Sequence, residues 1–550
     1  IYASGTGIIN NQDPLFEDAP NCDFNVQSCS PVINAGITPN PTLSTDIVGN
    51  NRDANYDFGA YEFQGNPVFY NGNGIVYVDI DVSGGNQSGS DWTNAFTNLQ
   101  DALDLIQEND CVAAREIWVA EGTYKPTKDN PTSSNNTARD VSFYIDTDSI
   151  RIYGGFQGVE TMRTQRNISL YKTILSGDLN DNDTPNLSGT ALRNDASRND
   201  NAYTIFYFDG TTVKGSITAA TVVDGFSIEG GNANSSISVA LGGAIYNDGN
   251  NGQSSPTISA CSFARNNALR GGAIYNNGEN GQSNPIISAC SFDNNQATDG
   301  GAIYNGGNFG ISNPVISNCI FTSNTVIDRG GAIYSNGQGG ESSPVINSCR
   351  FTNNSVPFSG GALYFFGDGG NIQAQITNCI FQNNGADHIG YDDGDANQDP
   401  DFINCTFEGA SEQAVNIRFF DSGQTPIDFT NCIFWNNTSL TNNDAAINPQ
   451  NCIVGDDNNV FAGSNGNLNQ DLLFVDAANG DLTLQICSPA IDSGDNIAID
   501  TFSMDFLGNT RIVNGTVDIG AYEFQGIAYT GTGIIYIDQD ASSGNNSGSD

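Results

Sequence analysis

Gly271-Gly-Ala-Ile-Tyr-Asn-Asn-Gly-Glu-Asn280-Gly-Gln-Ser-Asn-Pro-Ile-Ile-Ser-Ala-Cys290-Ser-Phe-Asp-Asn-Asn295 is one beat of the pattern that decides the architecture. A Gly pair, an Ala-Ile-Tyr run, a polar turn and an apolar run ending in Cys-x-Phe are followed by Asn. The Gly pair stands at Gly242/Gly243, Gly271/Gly272, Gly300/Gly301, Gly330/Gly331 and Gly360/Gly361, in steps of 29, 29, 30 and 30 residues. Phe keeps the beat at Phe263, Phe292, Phe321, Phe351 and Phe381 and carries it on to Phe407 and Phe434. Cys stands two residues before each, from Cys261 to Cys432, and Asn three after most, at Asn266, Asn295, Asn324, Asn354, Asn384 and Asn437. A fixed period of this length marks a repeat architecture whose units bury their core only against their neighbours.

Each beat holds short β-rich runs split by Gly and Asn, and none has the 3.6-residue apolar period of a helical repeat. Short strands and turns in roughly 29 residues predict one coil of a parallel β-helix, with coils stacked about 4.8 Å apart. Identical residues then form ladders. Cys and Phe, two apart, share a face that is expected inward. The Gly pair permits a tight corner with positive φ. The Asn is expected to turn in the left-handed region and to bond its neighbour in the next coil. In Gly-Gly-Ala-Ile-Tyr the second Gly and Ile are expected inward, which puts Ala and Tyr outward. The outward column is Tyr246, Tyr275, Tyr304, Tyr334 and Tyr364, a candidate surface for stacking on sugars or on another chain.

Gly-Gly-Ala-[Ile/Leu] paired with Phe-x-x-Asn, repeated in register, resembles the polymorphic outer-membrane adhesins of chlamydiae and related bacterial surface proteins. That resemblance implies an all-β, right-handed parallel β-helix working in adhesion. Glu116-Ile-Trp-Val-Ala-Glu-Gly-Thr-Tyr124, Ile150-Arg-Ile-Tyr-Gly-Gly-Phe156 and the closing Gly-Ala-Tyr-Glu-Phe resemble secreted β-helix proteins of Bacteroidota-type bacteria.

A second, longer repetition encloses the first. Asp13-Pro-Leu-Phe-Glu-Asp18 returns as Asp471-Leu-Leu-Phe-Val-Asp476, Cys29-Ser-Pro-Val-Ile33 as Cys487-Ser-Pro-Ala-Ile491, and Gly59-Ala-Tyr-Glu-Phe-Gln-Gly65 as Gly520-Ala-Tyr-Glu-Phe-Gln-Gly526. Gly74-Ile-Val-Tyr-Val-Asp79 returns as Gly533-Ile-Ile-Tyr-Ile-Asp538. The offsets are 458–461 residues. The expected organisation is residues 1–70 as the C-terminal cap of a preceding unit, 71–455 as the β-helix, 456–526 as this unit's cap and 527–550 as the start of the next. Within the β-helix, Leu99, Ala102, Leu103 and Ile106 share one helical face, with Thr97 or Asn98 as N-cap, so a short capping helix is expected at about 97–106. The regular coils are expected at about 222–437. Adjacent units of the same chain are the expected partners, joined at 66–73 and 527–532 by short segments bearing Val68, Phe69, Tyr70, Ile527 and Tyr529 rather than flexible Gly/Ser linkers.

The net charge of −44, most of it from Asp, is set against four Lys: Lys125, Lys128, Lys172 and Lys214. Such a chain repels nucleic acid and anionic membranes. A hydrophobic content of 38% with 31 Phe and 20 Tyr argues against disorder. No signal peptide and no run of 18 apolar residues is present, so membrane insertion is not expected. The expected setting is extracellular, at a bacterial surface, within a longer secreted protein. Of the 12 Cys, seven lie in the ladder as small buried hydrophobes, while Cys22 and Cys29 are better placed for a disulfide.

Catalytic constellations are sparse. The ladder holds Arg265, Arg270, Arg329 and Arg350 at different offsets and no Lys. His388 is the only His, and no Gly-x-Ser-x-Gly, His-Glu-x-x-His or phosphate loop occurs. The sequence therefore predicts no enzyme. Metal loops are the remaining chemistry. Asp79-x-Asp81-x-Ser83-Gly84 has the alternating oxygen spacing of a calcium loop but carries Ser90 at its twelfth position. Asp538, Asp540 and Ser542 repeat it, and Asp178-x-Asn180-x-Asn182 is similar. Calcium is the expected cofactor; turn formation alone accounts for the same residues. The function expected is a structural and adhesive unit of a giant surface fibre, holding to surfaces, other cells or prey through a glycan or protein ligand. A polysaccharide-binding or polysaccharide-degrading β-helix, and a fibre protomer acting through side-by-side homo-oligomerisation, are the alternatives.

Overall fold

The computed structural model describes residues 14–28, 30, 32–36, 43–52, 56–64, 74–109, 115–130, 137–211, 215–234, 241–392, 400–418, 426–455, 460–499 and 504–526. Cys29, the joints at 66–73 and 527–532, and the repeated loop Asp538, Asp540, Ser542 lie outside them. The chain divides into two compact units: Ile1–Tyr124 with Ile150–Thr173, and Lys125–Ser149 with Ile174–Asp550.

In the first unit the strands Ile75–Val78, Glu116–Ala120 and Arg151–Phe156 pair in parallel, with Ile75 beside Glu116 and Glu116 beside Arg151. Helix α1, Leu99–Glu108, begins where the Asn98 side chain accepts the Gln100 amide at 2.9 Å, which satisfies one of the free N–H groups of the first turn. Leu99, Ala102, Leu103 and Ile106 on its inner face are buried, as their spacing requires.

The second unit is a right-handed parallel β-helix of three long sheets. Each coil gives one short strand to each, as in Ile274–Asn277, Ile286–Ser288 and Ser291–Asp293, and each pairs with its counterpart in the next coil. We call these the Tyr, Ile and Phe sheets. The inward placement of Phe and Cys holds: Phe263, Phe292, Phe321, Phe351, Phe381, Phe407 and Phe434 are fully buried. Their rings stack at 4.7–4.9 Å between centroids and within 7° of parallel. That distance is the coil spacing itself, so the backbone repeat imposes the stack. The ladder Cys are buried free thiols, each donating to the carbonyl two residues before it, as Cys319 does to Ser317 at 3.2 Å.

Asn makes the polar ladder. Asn295 Oδ1 accepts both the backbone and side-chain N–H of Asn266 at 3.1 Å, while Asn295 Nδ2 donates to Phe263 O at 3.0 Å. Asn324, Asn354 and Asn384 repeat the arrangement, fully buried. The left-handed residue is not this Asn but the one before it: Arg265, Asn294, Ser323, Asn353 and Asn383 have φ of 52–55°. The ladder Asn thus keeps its side chain for the neighbouring coil. Further along the same connection the first Gly of each pair has φ of 60–74°. A Cβ on the second, at Gly272, would lie 2.2 Å from Gly301 O, so both positions need Gly.

The expectation for Ala and Tyr is corrected. Ile245, Ile274, Ile303 and Ile333 do face the core, yet Ala244, Ala273, Ala302 and Ala332 are also fully buried, and Tyr275, Tyr304, Tyr334 and Tyr364 are at most 6% exposed. A fourth sheet, Asn232–Ala233, Asn267–Ala268, Gln296–Asp299 and Thr325–Arg329, stands beside the Asn ladder. After the last coil, hairpins at Phe474–Asp476/Asp481–Leu484 and Ile512–Val513/Thr516–Val517 form the irregular cap. It does more than close the end. Leu472, Leu484, Ile519, Ala521 and Tyr522 pack with Ile380, Ile433 and Ile453, so the segment runs back along the Phe sheet.

Candidate functional site

Asp79 Oδ1 accepts the Asp81 amide at 3.0 Å, and burial pushes the Asp79 carboxyl above its ordinary pKa. Asp81 and Ser83 are exposed. Asp178 Oδ1 accepts the amides of Asn180 and Asn182 at 3.3 and 3.1 Å, and Oδ2 accepts that of Asp183 at 2.9 Å. Asn180 and Asn182 therefore meet Asp178 through their backbone donors, the geometry of a turn closed by its own Asp. Among the described residues, no group of three or more His, Cys, Asp or Glu is arranged to hold a metal ion.

The Tyr column is continuous but covered. Tyr304 and Tyr334 stack at 4.9 Å, Arg270 lies 5.2 Å over Tyr304, and Arg329 5.3 Å over Tyr364. Asn336 donates to Tyr304 Oη at 2.9 Å and Tyr364 donates to Asp392 at 3.0 Å. Burial raises the pKa of these phenols above its usual value. The rings are structural contacts of their own coils and offer no open stacking face; Tyr246 alone is partly exposed.

His388 is fully buried beside the stacked rings of Phe381 and Phe407, its Nε2 3.1 Å from Asn437 Oδ1 and its Nδ1 3.3 Å from Asn384 Nδ2. Burial holds its pKa down to about 4. It serves as a neutral bridge between Asn384 and Asn437.

Sequence reasoning missed a cleft of about 260 Å³ whose lining includes Asp178, Asp183, Arg198, Glu229 and Arg265. Between Ser176 and Phe206 the chain makes an excursion containing helix α2, Gly189–Asn194, and a 3-10 turn at Ala196–Asp200. It places Arg198, 1% exposed, against the corner of the next coil. Arg198 Nη2 donates to Gly231 O at 3.0 Å and Nη1 to Asp183 Oδ2 at 3.3 Å, while Nε is buried without a partner. Asn201 donates to the same Asp183 oxygen at 3.0 Å and to Gly230 O at 2.6 Å, and Asp183 Oδ1 is left unbonded. Burial raises the pKa of Asp183 against the pull of Arg198. Arg265 pairs with Glu229. Of the four ladder Arg, Arg265 lines this cleft. A signal existed: Arg265 occupies the left-handed position that other coils fill with Asn or Ser. Chemically, the cleft presents guanidinium–carboxylate pairs that can donate to and accept from one hydroxyl-bearing ligand.

The Chlamydia polymorphic membrane protein repeat matches residues 289–306 and 318–336, within the regular coils. No curated protein matches the sequence. Among solved structures, the chain is similar to pectate lyase Pel9A at 14% identity over 83% of this chain and 98% of that one, with a TM-score of 0.44. The catalytic domain of a GH87 α-1,3-glucanase is 12% identical over 72% of each chain, with a TM-score of 0.35. A rhamnogalacturonan lyase is 14% identical over 73% of this chain and 90% of that one, with a TM-score of 0.32. The expectation that the chain is no enzyme is corrected and the exclusion withdrawn, because the solved chains similar to it are a pectate lyase, a glucanase and a rhamnogalacturonan lyase. No helix among the described residues is long and apolar enough to cross a membrane.

Proposed function

We propose that this chain is a structural and adhesive unit of a bacterial extracellular surface fibre. The observation that carries the reading is the unbroken Phe column from Phe263 to Phe434, flanked from Asn266 to Asn384 by a buried Asn ladder. From Phe263 to Phe381 each coil is locked to the next through stacked rings and side-chain amides as well as backbone. Bending such a rod strains all of these contacts together, which suits an element that transmits force. The match to a surface-protein repeat supports the location, and the net charge of −44 keeps such rods from sticking to nucleic acid or anionic membrane. Further copies of the 458–461-residue repeat are its partners along the fibre, with calcium in the Asp79, Asp81, Ser83 loop as a stiffener. The test attaches the protein to beads and measures rod stiffness by force microscopy and bead retention on bacterial and host surfaces under flow. Flexible chains, or retention no better than that of bare beads, would sink the proposal.

The acid–arginine cleft favours a second reading, a protein that binds or cleaves polysaccharide. Incubation with uronic, neutral and sulfated polysaccharides tests it. Product that disappears in both Asp183→Asn and Arg198→Met would establish it.

A further inference from the structure

The corner between the Tyr and Ile sheets carries two columns. One is in the left-handed region: Asn251, Asn280, Phe309, Gly339 and Gly369, with φ of 57°, 54°, 52°, 64° and 65°. The other runs Gln253, Gln282, Ile311, Glu341 and Asn371, joined coil to coil by parallel bridges. Asn and Gly adopt positive φ at little cost, and a bulky aromatic does not. Phe309 is the only aromatic with positive φ among the described residues. It is also 69% exposed, so no core burial accounts for it. Its ring lies along the next coil, where a Cβ on Gly339 would come within 2.7 Å of it. In this one coil both columns turn apolar, at Phe309 and Ile311. The neighbouring coils offer amides at Gln282 and Asn280 on one side and the Glu341 carboxylate on the other. The Gln253, Asn280 and Gln282 side chains make no hydrogen bond among the described residues, and Glu341 accepts from Asn313 at 2.7 Å. The whole forms an open groove of about 730 Å³.

We infer that this groove binds a neutral polysaccharide chain, with one sugar ring on the face of Phe309. The inference rests on the adhesive reading and gives it a ligand class. A strained, exposed aromatic is retained where the strain serves a purpose. An aromatic face suits the C–H side of a sugar ring, and unbonded amides with a carboxylate suit its hydroxyls. With coils about 4.8 Å apart, the polar groups flanking Phe309 lie about 10 Å from each other, enough to bracket a saccharide along the rod axis. Among the described residues no Lys or Arg lines the groove, and with a net charge of −44 a uronic or sulfated chain would be repelled.

The test uses the full chain and its Phe309→Asn and Phe309→Gly variants. Both replacements suit a left-handed φ, so their folding is not at risk. Mobility is measured in native gels cast with glucan, mannan, galactan or polygalacturonate, alongside melting and sedimentation. The expected result is retardation by at least one neutral polysaccharide and not by polygalacturonate, weakened about tenfold or more in both variants. Their melting temperatures are expected to equal or exceed that of the parent. No retardation, retardation unchanged in the variants, or a lower melting temperature in both would overturn the site. Concentration-dependent dimers lost in the variants, without retardation, would assign the face to a second copy of the chain instead. Bead retention under flow separates the two readings: retention without polysaccharide binding leaves the adhesive role standing and removes this site.

Discussion

Residues 43–64 and 504–526 carry the same segment twice, in different surroundings. Asp46, Arg52, Asp57 and Glu62 recur as Asp505, Arg511, Asp518 and Glu523, and their hydrogen bonds recur with them. Asp46 accepts the Asn50 amide at 2.7 Å and Asp505 the Asn509 amide at 2.8 Å. Asp57 accepts the amides of Asn34 and Phe63 at 2.7 and 2.6 Å; Asp518 accepts those of Asp492 and Phe524 at the same distances. In the second copy, Gly520, Ala521 and Tyr522 are buried, Arg350 donates to Tyr522 Oη at 2.8 Å, and Asn404 donates to Asp518 O at 2.9 Å. In the first, Gly59 and Ala60 are exposed, and Ile47, which stands where Phe506 does, is 67% exposed. The segment therefore folds on its own polar network, and its apolar side is free to be laid on a coil wall.

The largest effect expected from this contrast comes from the buried Arg. Arg511 is fully buried, donates to the carbonyls of Gly520 and Ala521, and stands among Glu523, Asp505 and Asp518. Arg511→Met strands those groups and should cost about 3–5 kcal/mol. The loss should appear in hydrogen exchange at 350–433, because the segment detaches from the coils it covers. Arg52→Met removes a 2.8 Å pair with Glu62 and should open only residues 43–64. Equal effects of both variants on the 350–433 amides would break the comparison.

A pH dependence comes next. Burial raises Asp518 to about 6 and Glu523 to about 7. In the unfolded chain both titrate near 4. Between those values the folded segment binds more protons than the unfolded one, so its stability falls as pH rises from about 4 through 7. Exchange at 505–523, corrected for the intrinsic rate, should show less protection at pH 8 than at pH 5. Protection that grows with pH would refute the assignment.

Tyr522→Phe is a smaller step. It leaves the Arg350 guanidinium without that acceptor and should cost about 1–2 kcal/mol. Tyr61→Phe, at the matching but only partly buried position, should stay within about 0.5 kcal/mol. A cost shared by both would mean that the coil wall contributes nothing.

The ladders were legible because two periods coincide in the sequence. Phe and Cys alternate with a period of two within a strand and recur every 29 or 30 residues between coils, so their face is forced. The Tyr column has the same periods, yet its exposure was misjudged. Whether an outward residue is open depends on a second layer, here Arg270, Arg329 and the neighbouring Tyr rings, and the strand's own alternation carries no trace of that layer. The cleft joins Asp183 to Arg265 through an irregular excursion, which no period describes. Phe309 was readable in principle as the one aromatic in a column of Asn and Gly.

The smallest effect tests a single difference inside the repeated segment. Cys22 and Gly480 stand at equivalent places, each ending a 3-10 turn, with the amide bonded back to Ala19 at 3.1 Å and to Ala477 at 3.0 Å. Both are left-handed, at φ of 67° and 86°. Gly meets that requirement without strain, while the Cβ of Cys costs about 1 kcal/mol. Cys22→Gly should therefore stabilise the first copy by about 1 kcal/mol in reductant, read as slower exchange at 16–26. A second role for the thiol would reverse the sign in air. If Cys22 pairs with Cys29, the same substitution removes a cross-link from the denatured ensemble and destabilises the segment only under oxidising conditions. Stabilisation in both conditions would show a free thiol and a purely conformational difference between the copies. Destabilisation in reductant would show that Cys22 contributes packing that Gly480 lacks, and the two turns would no longer be equivalent.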